Sequence, residues 1–257
     1  MNPQPLLETR ALTVEIAGKQ VCRELCLSVA PGESWAILGI NGVGKTTLLH
    51  TLAGLRAPAG GEVLVGASPL ARMTRRQAAS KIGLLLQTSE DPFPSTLLET
   101  ALIGRHPYLA RLEWESAHDE AIAKGALAEV GLGGMERRLA HTLSGGERRL
   151  LALATLLTQD PPLCLLDEPS NHLDLHQQIA VLDLLRARSR ARTAMIMVMH
   201  DVNLAVRYCD HVLLLYGAGE TVQGETGSVM DVERLSRLYR HRVVALAGGD
   251  RTVFVPG

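Results

Sequence analysis

Residues 39–47 read Gly39-Ile40-Asn41-Gly42-Val43-Gly44-Lys45-Thr46-Thr47, and the reading of this stretch decides the fold. It completes the glycine-x-x-x-x-glycine-lysine-threonine pattern of a phosphate-binding loop. The apolar run Trp35-Ala36-Ile37-Leu38 before it reads as a buried strand, and Thr47-Leu48-Leu49 after it reads as a helix start. Glycines let the backbone turn tightly, so that successive N–H groups aim at one anion. The helix N-terminus adds positive potential. Lys45 can reach the β- and γ-phosphates, and the Thr46 hydroxyl can ligate Mg²⁺. An ordinary glycine-rich turn with an exposed lysine would lack the strand on one side and the helix on the other. The expectation is a nucleotide held by Gly39, Asn41, Gly42, Gly44, Lys45, Thr46 and Thr47.

Working outward, the next chemical signal is Asp167-Glu168, after the apolar run Leu163-Cys164-Leu165-Leu166. An aspartate at a strand end beside the loop can hold Mg²⁺ through a water. Glu168, one residue on, points differently and is placed to orient an attacking water or accept its proton. His200 ends the apolar stretch Thr193 to Met199 and could reach the γ-phosphate, although a histidine there is also compatible with a structural role. Gln87 stands at the end of Ile82 to Leu86, where it can reach Mg²⁺ or the attacking water. A second anion cradle lies at Leu143-Ser144-Gly145-Gly146-Glu147, which offers a hydroxyl, free amides and a helix N-terminus. Since Lys45 already marks one cradle in the chain, two protomers could face head to tail. Ser144, Gly145 and Gly146 of one would then cover the nucleotide held by the other.

The remaining pattern frames these motifs. Residues 11–16 alternate like a strand, Gly18-Lys19 turns, and Leu25 to Val29 reads as a strand. The helix from Lys45 runs to about Leu52, Glu62 to Val65 is a strand, and Leu70 to Ala79 a short exposed helix. Thr88 to Pro94 reads as a flexible connection. Ser95 is placed to cap a helix over Leu97–Ile103. Residues 114–130 read as a long helix with Trp114, Ala117, Ala121, Ala126, Leu127 and Val130 on its apolar face, and Ser144 caps another helix. Residues 176–188 and 201–208 are helical, 211–216 a strand, and the end of the chain a hairpin over Gly248-Gly249-Asp250. The expectation is one nucleotide-binding domain over 1–257. Its α/β P-loop core comprises 1–87 and 161–257, with an antiparallel β region at the N-terminus and a helical subdomain inserted at 88–160.

Bulk properties narrow the classes. The 257 residues include 27 acidic and 26 basic side chains, a net charge of −1 that gives no reason to expect a nucleic-acid partner. Cys22, Cys26, Cys164 and Cys209 form no metal-type spacing and read as buried thiols. The start of the chain does not read as a signal peptide, and no run approaches the roughly 18 apolar residues of a membrane span. If the protein serves a membrane, another chain supplies the channel.

Taken together, Gly39–Thr47, Gln87, Leu143–Glu147, Leu163–Glu168, Ser170-Asn171-His172-Leu173-Asp174 and His200 resemble, in order, the Walker A, Q-loop, signature, Walker B, D-loop and switch-histidine motifs of ATP-binding cassette (ABC) transporter ATPase subunits. The resemblance spans nearly the whole chain. It implies ATP and Mg²⁺, a homodimer with ATP sandwiched between subunits, and a multi-span permease pressed on by the helical subdomain near Gln87. It also implies a peripheral position on the cytoplasmic face of the cell (inner) membrane. Two departures stand out: Arg148 where glutamine is common, and Ile16 in place of the usual adenine-stacking aromatic. Ile16 either covers one face of the base by contact or is a strand core residue. A narrower similarity, to importer ATPases for ferric siderophores, haem and cobalamin, lies in Gly104-Arg105-His106-Pro107-Tyr108, in Asn171-His172-Leu173-Asp174, in His200-Asp201-Val202-Asn203-Leu204-Ala205 and in Glu233 to Tyr239. A substrate-binding protein is then an indirect partner. An ATPase of another transporter, exporters included, and a cassette protein acting on ribosomes or DNA remain as alternatives.

Overall fold

The computed structural model describes residues 4–87, 94–110, 113–248 and 251–257. Strands β1 (Leu7–Ile16), β2 (Lys19–Leu25) and β3 (Ser28–Val29) open the chain. Strand β4 (Ser34–Leu38) runs into the phosphate loop and α1 (Lys45–Leu52). Then come β5 (Gly60–Val65), β6 (Ser68–Pro69), α2 (Arg75–Ala79) and β7 (Ile82–Leu85). Helices α3 (Leu97–Leu102), α4 (Ala117–Glu129) and α5 (Gly145–Gln159) pack on one another before the chain returns as β8 (Leu163–Asp167). The core closes with α6 (Leu175–Arg190), β9 (Ala194–Val198), α7 (Val202–Tyr208), β10 (His211–Gly217) and β11 (Glu220–Glu225). Helices α8 (Thr226–Val229) and α9 (Val232–Tyr239) and the hairpin β12 (Val243–Gly248)–β13 (Arg251–Pro256) follow. Its expected turn residues Gly249 and Asp250, the connection Thr88–Phe93 and the first three residues lie outside the described residues.

The central six-stranded sheet has the order β11-β10-β4-β9-β8-β7, parallel except for the edge strand β11. Every residue of β4, β8 and β9 is buried, as sequences apolar along their whole length require when both sheet faces are covered. Parallel strands put all their C-terminal ends on one edge, which is where crossover folds bind ligands. A second, antiparallel sheet of β2-β1-β5-β6, with β3 beside β1, covers α1. Leu48, Leu49 and Leu52 of α1 are fully buried between the two sheets, among Leu12, Val21, Ile37 and Ile196. On the other face, Leu153, Leu156 and Leu157 of α5 join Leu182 and Leu185 of α6 and Met195 and Met197 of β9. Each such side chain contributes roughly 1.5–3 kcal/mol of burial free energy.

Several local expectations are corrected. The strand expected over Leu25–Val29 is two strands interrupted at Cys26-Leu27. The Thr9 hydroxyl bridges the break, donating to Leu25 O (2.7 Å) and accepting from Leu27 N (2.8 Å). The helix before Ile103 is capped by Thr96, not Ser95. Thr96 Oγ1 accepts from Glu99 N (3.2 Å), whereas the Ser95 hydroxyl pairs with Thr100 Oγ1 (2.9 Å). The helix expected from 114 starts at Ala117, because Ser116 and Asp119 close a capping box there. Trp114 is consequently 86% exposed, and Ala117 and Ala121 face solvent too, while Ala126, Leu127 and Val130 are buried as expected, together with Ala123. Thr74 divides the 70–79 segment into a 3-10 turn at Leu70–Arg72 and α2. Cys26 is exposed, while burial pushes the Cys22 thiol up to about 11 and the Cys164 thiol up to about 12.

Candidate active site

The phosphate loop is held open by backbone geometry. Gly42 (φ 75°) and Gly44 (φ 109°) are left-handed, and a Cβ on Gly44 would collide with the Val21 side chain of β2. Gly44 is also the N-cap of α1 and supplies no side-chain cap, so the first-turn N–H groups are left for an anion. Lys45 is buried, and its ammonium donates to Gly39 O (2.8 Å) and Ile40 O (3.2 Å). Burial holds its pKa below the ordinary lysine value, opposed by the charges of Glu168 and Asp167.

Asp167 ends β8 with no exposed surface, and neither carboxylate oxygen has a hydrogen-bond partner of normal geometry among the described residues. Burial pushes its carboxyl up from the usual carboxylate range; the facing Thr46 side chain and the charges of His50 and Arg149 act against that shift. A buried carboxylate so poorly satisfied, facing a threonine hydroxyl beside a phosphate cradle, fits the oxygen donor set of Mg²⁺.

Glu168 adopts a left-handed backbone (φ 53°), rare for a residue with a side chain and a mark of functional sites. Its two carboxylate oxygens have different partners. One oxygen meets His200 Nε2. The other accepts from Asn171 Nδ2 and from Gln87 Nε2 (3.2 Å). Four strand ends thus deliver the site: the loop follows β4, Gln87 follows β7, Asp167 and Glu168 end β8, and His200 follows β9.

Ile16, Asn41, Gly42, Gly44, Lys45, Thr46 and Thr47 line one cleft of about 520 Å³ together with Gln87, Glu168, Asn171 and His200. Ile16 is 37% exposed at the end of β1, so it is a cleft residue and not a core residue. Past Ile16 and Asn41 the cleft opens into a second space of about 710 Å³ bordered by Lys19, Tyr216 and Arg240. Ser144, Gly145 and Gly146 do not line either space. Ser144 caps α5 by accepting from Glu147 N (3.2 Å), Glu147 accepts from Ser144 N (2.8 Å), and Arg138 pairs with Glu147 at 2.6 Å. Arg148, the departure noted in the sequence, only donates to His141 O (3.1 Å) on the surface.

One residue at the site was missed from sequence, and another was read there only as part of the Ser170–Asp174 motif. Asn171 follows Glu168 by one turn, its N–H donating to Glu168 O (3.1 Å). Arg149 lies under the cleft, donating to the carbonyls of Leu86, Asp167 and Glu168. The available signal was its place on the apolar stripe of α5, in line with Leu153, Leu156 and Leu157.

A separate groove of about 540 Å³ runs between the core and the helical region, with Leu55, Leu70 and Met73 on one wall and Ile103, Gly104 and Pro107 on the other. Gly104 lets the second wall approach α5, where a Cβ would run into Thr155 O.

Comparison with known proteins is consistent with this geometry. The family described as "ABC transporter" matches residues 22–171. The petrobactin import ATP-binding protein FpuD of Bacillus anthracis is 36% identical over 238 residues, covering 92% of this chain and 87% of FpuD. The hemin import ATP-binding protein HmuV of Nocardia farcinica is 37% identical over 245 residues, covering 93% and 84%. A solved structure described as an inward-facing conformation of a metal-chelate type ABC transporter superposes with a TM-score of 0.85 at 28% identity, covering 98% of each chain.

Proposed function

The chain belongs to the ABC transporter family as an ATP-hydrolysing subunit, and from that premise we propose that it powers import of a metal chelate: a ferric siderophore, haem or cobalamin. The observation that carries this reading is similarity to import ATP-binding proteins over more than nine-tenths of the chain, 92% and 93% for the two relatives above.

In this mechanism the loop amides and Lys45 bind the β- and γ-phosphates of ATP. Lys45 exchanges its two carbonyl partners for phosphate oxygens. Thr46, Asp167 and Gln87 would hold Mg²⁺, which neutralises charge on the phosphates when bound. Glu168 orients the attacking water and takes its proton; His200, Asn171 and Gln87 fix the two carboxylate oxygens in direction. Ile16 covers one face of the adenine. Ser144, Gly145 and Gly146 complete the site on the nucleotide of a second copy, giving a homodimer with two composite sites.

The core (1–87, 161–257) and the helical subdomain (88–160) then move relative to one another as ATP binds and leaves. Their shared groove, walled by Met73 and Ile103, fits a short helix of a multi-span permease. As the ATP-hydrolysing subunit of such an importer it sits peripherally on the cytoplasmic face of the membrane; among the described residues no helix is long and apolar enough to cross it. A substrate-binding protein delivers the cargo to the permease from the other side.

The test is uptake into proteoliposomes that contain the permease, this subunit and the cognate binding protein. Labelled ferric chelates, haem and cobalamin are compared with and without ATP. ATP-dependent accumulation of one of them is expected; expulsion of a substrate from the cytoplasmic side instead ends the importer reading and leaves the ATPase intact.

A further inference from the structure

Arg149 is only 8% exposed, yet its side chain forms no ion pair among the described residues. Its two terminal nitrogens are spent on main-chain carbonyls, while Nε has no partner among the described residues. One terminal nitrogen donates to Leu86 O, and the other to Asp167 O and to Glu168 O (2.9 Å). Burying a cation is costly, and a leucine would fill the space without that cost. What a leucine cannot do is hold three carbonyls from two strand ends at once. Those carbonyls belong to the residue before Gln87 and to the two residues that form the left-handed bend at Glu168 (φ 53°). The same side chain sits little more than one helical turn after Ser144, the cap of α5.

We propose that Arg149 is a positioning residue for hydrolysis: its planar fork holds the bend at Glu168 and the end of β7 against α5, so that the Glu168 carboxylate stays aimed into the cleft. This rests on the reading of Glu168 as the group that orients water. A movement of the Ser144 end of α5 is thereby transmitted to Glu168 and Gln87 through one guanidinium. Lysine would keep the charge but not the fork, and glutamine would keep a donor but neither the charge nor the reach.

The experiment uses the full chain, assembled with its permease where turnover requires it. Arg149→Lys and Arg149→Gln are made alone and with Glu168→Gln. ATP hydrolysis is measured against ATP concentration, ATP affinity by direct titration, and folding by thermal unfolding. Both single variants are expected to lose about tenfold or more in kcat with ATP affinity within twofold, because only the aim of the carboxylate changes. Glu168→Gln/Arg149→Gln is expected to accumulate ATP-bound dimers as Glu168→Gln alone does. If the glutamine variant does not fold, Arg149→Lys, of similar size and equal charge, decides. Turnover within twofold of the unsubstituted chain overturns the proposal, as does a loss of affinity that accounts for the loss of turnover, or failure of the double variant to dimerise. Near-normal turnover of Glu168→Gln would instead remove the reading of Glu168 on which the proposal depends.

Discussion

The two helix N-termini that carry the chain's glycine motifs are built in opposite ways. At α1 the cap is Gly44, left-handed and without a side chain, and the neighbouring lysine is buried with two main-chain carbonyls as its hydrogen-bond partners. At α5 the cap is Ser144, locked with Glu147 in a capping box that Arg138 reinforces. The first cradle is unsatisfied within its own chain and closes on an anion brought to it. The second is satisfied at rest and stands apart from the cleft of its own chain. On the proposed reading, one chain holds a phosphate-binding half and a covering half that do not meet. The difference supports two copies arranged head to tail.

Substitutions separate the halves. The largest effect is expected from Ser144→Arg, which puts bulk and charge on the covering half. ATP hydrolysis should fall by roughly 10² or more, since the group acts only in the assembled site, while ATP binding to the isolated chain should stay within twofold. If hydrolysis and binding fall together, both halves lie on one chain's site. Lys45→Ala acts on the other half and should weaken ATP binding, read by direct titration. A charge-assisted contact of about 1.5–3 kcal/mol corresponds to roughly 10- to 100-fold.

Asp167→Asn sharpens the electrostatic side of the comparison. Because burial raises the Asp167 carboxyl in the fold, the folded chain binds that proton more tightly than the unfolded chain does. That preference favours the fold at low pH and costs stability once pH rises above the unfolded value of about 3.9. At pH 7, without nucleotide, Asp167→Asn should raise Tm, while lowering Mg²⁺-dependent hydrolysis less than Ser144→Arg does. An unchanged or lower Tm would mean that the carboxylate is satisfied in the apo protein. The smallest effect is expected from Ile16→Tyr. A tyrosine ring on the base should add about 0.5–1.5 kcal/mol and lower the KM for ATP about two- to tenfold; an unchanged KM would place the base away from Ile16.

What was legible in the sequence was whatever the chain encodes over a few neighbours. Leu163 to Asp167 announces a buried strand with a carboxylate at its tip, and Ser144 with Glu147 announces a capped helix; both stand as read. The parallel sheet then gathers Gln87, Asp167, Glu168 and His200 on one edge without further instruction. Arg149 shows in the sequence only as a charge on the apolar stripe of α5, with nothing to say what it holds. Its partners are main-chain carbonyls of residues 63, 18 and 19 positions away, and carbonyls leave no mark in a sequence. Trp114 was misread because an apolar residue at helical spacing looks like a core residue, whereas the Ser116–Asp119 capping box starts the helix after it. Strand β2 was passed over because Arg23 and Glu24 break its alternation, Glu24 sitting in a left-handed bend (φ 51°).

The head-to-tail arrangement is tested most directly by crosslinking. Single cysteines are placed near Gly42 and near Ser144, on separate chains and together on one chain, in a Glu168→Gln background with the exposed Cys26 replaced by serine. Each preparation is treated with a short bifunctional thiol reagent, with and without Mg-ATP. The expected result is an interchain crosslink between the two introduced thiols that appears with ATP when they are on different chains. An ATP-promoted crosslink formed only within one chain would contradict the composite site.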